Sequence, residues 1–305
     1  MKYFSETEVH QSIPINLLIE KIEDFYLHQT DVNIPERFHL HDGENTVLIM
    51  PAFDLDYYAI KLVGVAPQNK QLNKPSIYGT VILHNRKTLE PLAIFDGKAI
   101  TSIRTGAIGG LSIKYLSKET AENIGIVGTG VQGWSHLLAA IAVRNIKKVY
   151  LYNRSSEKSE SFKRRVKTKY PHLKVVTTNI HNLIISSDII VTTTTSYTPV
   201  LPDIHPNVWR EKLIVAVGSF KPTMQELPDS LLKQTSSFYV DTKTALTESG
   251  DMLKAQELHE KNLHISTLKD IIQKQIKPSS ITIFKSVGMA LFDLLTAKFI
   301  FENQK

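Results

Sequence analysis

Residues 124–133 read Ile-Gly-Ile-Val-Gly-Thr-Gly-Val-Gln-Gly, a short apolar run ending in glycines at 128, 130 and 133, with a helix-like stretch over 134–143 behind it. In a strand that turns sharply into a helix, each glycine has a physical task. Gly128 permits the tight turn, Gly130 lets the backbone approach an anionic group, and Gly133 allows the helix to pack on the strand. The free N–H groups at the start of such a helix, around Thr129, Val131 and Gln132, suit a pyrophosphate. A tight turn with no ligand is the plainer reading of the same glycines. The context weighs against it, because a second strand-like run ends about 20 residues later, as in dinucleotide-binding units.

Six β-branched runs follow one another with helix-like segments between them: residues 123–127, 148–152, 174–177, 188–194, 213–217 and 237–240. Regular alternation of this kind builds a parallel sheet with helices on both faces, and ligands of such sheets lie beyond the carboxyl ends of the strands. Thr193 and Thr194 after the fourth run, and Val217 and Gly218 at the end of the fifth, are therefore candidate cofactor neighbours, although threonine runs are also ordinary strand material. The second run ends in Asn153, Arg154 and Ser155, where NAD-binding chains usually carry an acid for the ribose hydroxyls. A carboxylate there would repel a 2′-phosphate, whereas Arg154 can grip one through charge-assisted hydrogen bonds of about 1.5–3 kcal/mol. The expectation is NADP(H) in preference to NAD(H), with NAD(H) left open.

Before this alternation the pattern is different. Residues 5–26 have apolar positions at helical spacing in spite of Pro14, and residues 46–95 are short apolar runs broken by turn residues, as in antiparallel strands. An apolar helical stretch follows at 103–116, and at the far end residues 281–284 look extended before an apolar helix that begins near Met289. That helix needs a surface to cover, and the alternating unit already has its own helices, so a return to the first domain is expected. The expected division is 1–115 plus 281–305 against 116–280. Lys61 interrupts the apolar run 59–65, where desolvation would lower its pKa and suit it to exchange a proton. The plainer alternative is a strand lysine with its head in water.

Other chemistry has little support. With no cysteines, disulfides, thiolate metal sites and cysteine nucleophiles are excluded, which fits a reducing cytoplasm. Residues 1–11 are too polar for a secretory leader and no run nears the roughly 20 apolar residues of a membrane span, so a cytoplasmic chain with no membrane partner is expected. The net charge of +6 is spread along the chain, and the basic residues at 158–169 lack aromatic companions, so no nucleic-acid partner is expected. His39, His41 and Asp42 sit in a polar loop without further ligands at a recognisable spacing, so no metal is assigned. Glu248-Ser249-Gly250-Asp251 reads more readily as a helix start than as part of a site.

Several blocks, in order along the chain, resemble the ornithine cyclodeaminase and mu-crystallin family. They are Arg37, Met50-Pro51-Ala52, Ile60-Lys61-Leu62-Val63, Gly79-Thr80 leading to Pro91-Leu92-Ala93, Thr101-Ser102-Ile103-Arg104-Thr105-Gly106-Ala107 and Phe284-Lys285-Ser286-Val287-Gly288, set around the Gly-x-Gly-x-Gln turn. The resemblance covers most of the chain. It implies an α/β fold in which a doubly wound Rossmann sheet is inserted in an α+β substrate-binding and dimerisation domain, and a homodimer formed through the β-rich part. It further implies that Arg37, Lys61 and Arg104 surround the carboxylate of a small α-imino or α-amino acid, with Lys61 and Arg104 catalytic. Thr80 and Thr105 would line the site near the cofactor, with Arg104 and Thr105 touching it, and Val287-Gly288 would close over nicotinamide and substrate. The chemistry agrees, since a substrate carboxylate needs cationic donors and arginine supplies bidentate ones.

One departure changes the expected reaction. The resemblance implies an aspartate after the fifth Rossmann strand in cyclodeaminases, but the run Ala216-Val217-Gly218-Ser219-Phe220-Lys221-Pro222 has Phe220 there. An aromatic ring takes no proton. Cyclodeamination needs a base for its amine and ammonia transfers, while imine reduction needs fewer steps. Together these imply an NAD(P)H-dependent reductase of ketimines or Δ1-pyrroline-2-carboxylate, or an amino-acid dehydrogenase. Ornithine cyclodeaminase, with Ser219 or Lys221 as substitute, and a non-catalytic NADPH-binding protein of the crystallin kind stand as alternatives.

Overall fold

The computed structural model describes residues 1–28 and 31–304, and the chain divides into two compact units, Met1–Arg104 with Met289–Lys305, and Thr105–Gly288. In chain order the elements of the first unit are β1 (Lys2–Phe4), α1 (Glu6–Ser12), α2 (Ile15–His28), β2 (Phe38–Asp42), β3 (Asn45–Phe53), β4 (Tyr57–Val65), β5 (Ile77–Asn85) and β6 (Pro91–Asp96), followed by α3 (Gly97–Leu116), within which the division falls. The second unit holds β7 (Asn123–Val127), α4 (Val131–Val143), β8 (Lys148–Tyr152), α5 (Ser156–Lys169), β9 (Lys174–Thr177), α6 (Ile180–Ser186), β10 (Ile189–Thr192), β11 (Leu213–Ala216), α7 (Asp229–Gln234), β12 (Ser237–Val240), α8 (Ala245–Glu248), α9 (Gly250–Leu258), β13 (His264–Thr267), α10 (Leu268–Lys274) and β14 (Thr282–Lys285). The last helix, α11 (Ala290–Glu302), belongs to the first unit.

In the first unit the sheet order is β1-β6-β5-β4-β3-β2, with β1 parallel to β6 and the other pairs antiparallel. The helical stretch expected over 5–26 is two helices. Pro14 cannot continue α1 but suits the first turn of α2, and Ser5 starts α1 with a reciprocal capping box to Glu8. Residues directly opposite each other in an antiparallel pair share a face, so Met50, Lys61, Val81 and Phe95 form one buried row and Ala52, Ala59, Leu83 and Ala93 the next. The helix α11 packs on β3, β4 and β5. On the opposite face the rows are apolar but open, with Phe38, Leu40, Val47, Leu62 and Tyr78 all exposed. His39 and His41 lie on β2, an edge strand paired with β3, rather than in a loop. Among the described residues no group of three His, Asp or Glu could hold a metal ion.

The second unit is an all-parallel sheet in the order β13-β12-β14-β11-β10-β7-β8-β9. Strand order reverses on either side of β7, which puts a topological switch point between β7 and β10. Its central strands are buried along their whole length, as continuous apolar runs require. Two strands exceed the six expected. One is β13. The other, β14, was expected to have left this domain at residue 281, but it pairs with β11 on one side and β12 on the other, so the chain crosses back at Met289. The first boundary also differs, falling inside α3 rather than after residue 115. The helix α3 starts at Gly97, where Asp96 accepts a hydrogen bond from Ala99 N at 2.7 Å and a Cβ on residue 97 would lie 2.4 Å from the Gly79 backbone. No helix among the described residues is long and apolar enough to cross a membrane.

Candidate active site

The glycine turn of the second unit forms at the switch point. Gly128 has φ +97, a backbone region that L side chains rarely adopt, and donates its N–H to Tyr152 O at 3.0 Å. A Cβ on Gly133 would lie 2.3 Å from Gly128 O, so α4 can meet β7 this closely only without a side chain there. Gly130 is different. A Cβ there would touch nothing within 4 Å, and this residue N-caps α4 without a side-chain hydrogen bond to the first turn. The chain itself does not require glycine at 130, whereas an anionic group resting on the open amides of α4 would. The turn, with Thr129, Val131 and Gln132, therefore fits a dinucleotide pyrophosphate.

Asn153 Nδ2 donates to Thr129 Oγ1 at 2.7 Å, which ties the end of β8 to the turn. Arg154 is exposed beside it, and Ser155 caps α5 by accepting from Lys158 N. The hydroxyls of Thr193 and Thr194 are engaged by the protein. Thr193 Oγ1 donates to Gly128 O at 2.8 Å, bracing the turn.

Thr194 belongs to a network at the carboxyl ends of β10, β11 and β14. Buried Glu226 accepts from Thr194 N and Oγ1, Thr192 Oγ1 and Gly218 N at 2.6–2.8 Å. Burial pushes its carboxyl up, Lys285 opposes that shift, and Asp251 adds to it. Asp251 accepts from the backbone N–H groups of residues 226 and 227, and from Lys285 Nζ at 3.2 Å. Thus Gly250 does begin α9, but the neighbouring aspartate is part of a buried ionic cluster rather than ordinary helix-start chemistry. Asp241, at the end of β12, accepts from Ser286 Oγ, Val287 N and Gly288 N at 2.7–3.0 Å, so a single carboxylate pins the segment expected to close the site.

In the first unit the structure gathers Lys61 of β4, Thr101 and Arg104 of α3, and Asp293 of α11. Lys61 Nζ lies 2.6 Å from Thr101 Oγ1 and 2.9 Å from Asp293 Oδ1, and Arg104 Nε is 3.3 Å from the same oxygen. Lys61 is only 4% exposed, which rules out a head in water. Its pKa is lowered to about 8, mainly by burial and further by Arg104 and Arg37, while Asp293 holds it up. Thr80 is not brought to this cluster. It lies opposite Leu62 and Asp96, whereas Lys61 pairs with Val81, so the two project from opposite faces of the sheet. Thr105 is buried on α3, at the start of the second unit.

The cluster contains two residues that the sequence reading missed. Thr101 stands three positions before Arg104, hence on the same helical face, and Asp293 is a lone acid in the apolar run Leu291-Phe292-Asp293-Leu294-Leu295. A buried acid in such a run needs a cation, which was the signal available for it.

The family model for ornithine cyclodeaminase/mu-crystallin matches residues 1–305. The chain belongs to that family. Within the family it is 36% identical over 322 aligned residues to a Δ(1)-pyrroline-2-carboxylate reductase of Bacillus cereus, with 99% of this chain and 96% of that protein covered. It is 30% identical over 267 residues to ketimine reductase mu-crystallin of Rattus norvegicus, covering 84% and 79%. Among solved structures it resembles the Thermococcus litoralis Δ(1)-pyrroline-2-carboxylate reductase in complex with NADH and L-proline, at a TM-score of 0.88 and 29% identity over 99% and 97% of the two chains. An archaeal alanine dehydrogenase dimer with bound NAD is similar at a TM-score of 0.88 and 26% identity, covering 99% and 95%. Phe220, expected at the position of the cyclodeaminase aspartate, has an exposed ring, while Ser219 beside it is buried and donates to Met224 O at 2.7 Å.

Proposed function

We propose that this protein reduces small α-imino acids, with Δ1-pyrroline-2-carboxylate or a related ketimine as substrate and NADPH as the hydride source. One observation carries the reading: a buried lysine shares one carboxylate oxygen with an arginine, its pKa lowered to about 8 chiefly by burial, in a family whose members include imine reductases. A bound nicotinamide dinucleotide would supply a hydride to the substrate α-carbon. Arg104 turns Nε toward Asp293, leaving its two terminal nitrogens as a planar fork for the substrate carboxylate, with Arg37 as a second cation. Lys61, at about 8, can give a proton to the imine nitrogen near neutral pH and regain it from water. With Phe220 in place of an acid, and the Ser219 hydroxyl given to a backbone carbonyl, those two positions offer no base for ammonia transfer.

Gly128 to Gly133, Asn153 and Ser155 would hold the dinucleotide, with Thr105, Thr193, Thr194, Val217 and Gly218 as further neighbours and Val287-Gly288 over the nicotinamide. Arg154, exposed and without a carboxylate at its side in sequence, supports NADP(H) over NAD(H). The open apolar face of the first sheet supports a homodimer, because a contiguous apolar surface of this kind is characteristic of an interface. The absence of cysteine is in keeping with the cytoplasm.

The test is a panel of cyclic and linear imino acids with NADPH or NADH, followed at the nicotinamide absorbance. Oxidation of NADPH by a cyclic imino acid, with weaker use of NADH, is expected. If folded protein binds NADPH and oxidises none, it is a binding protein. Ammonia and proline released from ornithine with no net cofactor change would replace reduction by cyclodeamination.

A further inference from the structure

Two contacts of different origin hold the Lys61 ammonium. Thr101 Oγ1 gives its single proton to Gly97 O at 2.6 Å, so toward Lys61 Nζ it can only accept. Asp293 Oδ1, an acceptor on a helix 232 residues further along the chain, takes a second proton. Among the described residues the third has no partner. A neutral amine has two protons and a lone pair. It can therefore keep both holding bonds, and only the third position changes, from N–H to lone pair, without moving the nitrogen.

We propose, on the reading that this protein reduces imines, that Asp293 and Thr101 are positioning residues which fix one direction for proton exchange between Lys61 and the substrate nitrogen, and that Asp293 keeps the proton on Lys61 between turnovers. Arg104 from α3 and Arg37 ahead of β2 face Lys61 with like charge, burial strips it of water, and Asp293 from α11 opposes all three. Without that carboxylate a desolvated lysine between two arginines would be neutral at pH 7. The other Asp293 oxygen, Oδ2, is buried without a hydrogen-bond partner, so the two cations at Oδ1 orient the carboxylate. In the reduction, hydride adds to the α-carbon and the C=N π pair moves to nitrogen. That pair takes the proton from Lys61 Nζ, which takes another from water.

The test uses the full chain and reads Lys61 directly, through the pH dependence of its acylation by acetic anhydride located by peptide mass spectrometry, beside the pH profile of kcat/KM with Δ1-pyrroline-2-carboxylate. Wild-type Lys61 is expected to titrate near 8. Asp293→Asn should move both that titration and the basic limb of kcat/KM down by about one pH unit or more, and Asp293→Glu should restore the limb. Thr101→Val, which leaves the charge in place, should lower kcat at every pH with a much smaller move of the limb. Coincident Lys61 titrations in wild type and Asp293→Asn would overturn the proposal. So would a wild-type titration at the ordinary lysine value of about 10.4, a result that needs no variant to fold. If no imino acid is reduced while Asp293→Asn still shifts the titration, the reductase reading fails and the holding of Lys61 stands.

Discussion

Each unit buries a lysine against a carboxylate, and the two clusters differ in how far their charges are satisfied from within. In the second unit Glu226 and Asp251 face Lys285, and all four carboxylate oxygens accept at least one hydrogen bond. In the first unit Asp293 Oδ1 meets both Lys61 and Arg104, and the other oxygen of that carboxylate has no hydrogen-bond partner among the described residues. A buried network satisfied from within holds backbone segments in place. A buried cluster with surplus positive charge would instead suit an anion from outside.

Exchanging the roles of these clusters by mutation is the strongest way to break the contrast. Asp251→Ala would leave Lys285 buried without its partner and is expected to cost about 3–5 kcal/mol of stability, read from denaturant midpoints. Lys61→Met should leave stability unchanged or raise it, because at neutral pH a buried charge is being removed, while lowering kcat/KM about 100- to 10,000-fold. If Lys61→Met unfolds like Asp251→Ala, the two clusters are alike and the contrast is lost.

The glycine turn sharpens the same distinction on a smaller scale. Gly133→Ala places a methyl group 2.3 Å from Gly128 O and should cost about 1–3 kcal/mol in thermal or denaturant unfolding. Gly130→Ala meets nothing in the chain, so its stability cost should be about 1 kcal/mol or less, while calorimetry should show NADPH bound about 10-fold or more weakly. Equal affinities for NADPH in wild type and Gly130→Ala would remove the anion from this turn.

The gentlest effects are pH slopes of stability. His136, fully buried with Nδ1 on Gln132 O and its ring against Gly109, has its pKa lowered to about 4 by burial. Between 6.5 and 4 the unfolded chain binds a proton that the folded one refuses, so this contribution to stability is full above about 6.5 and lost as pH falls toward 4. His136→Phe should flatten that limb. Lys61 acts at the other end: below about 8 both states carry its proton and the burial penalty is complete, and from 8 to 10.5 the folded state sheds it and stability rises. Urea midpoints against pH should show that rise in wild type and not in Lys61→Met.

Much of this was legible because it is local. The turn at 124–133, the parallel strands up to residue 240, the lysine in an apolar strand and an apolar last helix are patterns within a dozen or so residues, and local patterns express local geometry. Less was legible where pairing decides. Thr282–Lys285 looked extended, yet nothing in four residues says which sheet they enter. Thr80 and Thr101 are both threonines of family-like blocks, and only strand register turns one away from Lys61 while helix phase brings the other to it.

The sequence by itself determined that a glycine turn leads from strand to helix, that a parallel sheet surrounds it, and that a lysine interrupts an apolar strand, because glycine spacing, apolar alternation and a charge in an apolar run act over short stretches of chain. Only the tertiary structure decided that β14 closes the second sheet, that Asp241 pins residues 286–288, and that Asp293 meets Lys61 across 232 positions. Each of those is a contact between side chains or strands remote in sequence, and only folding brings such groups within hydrogen-bond reach.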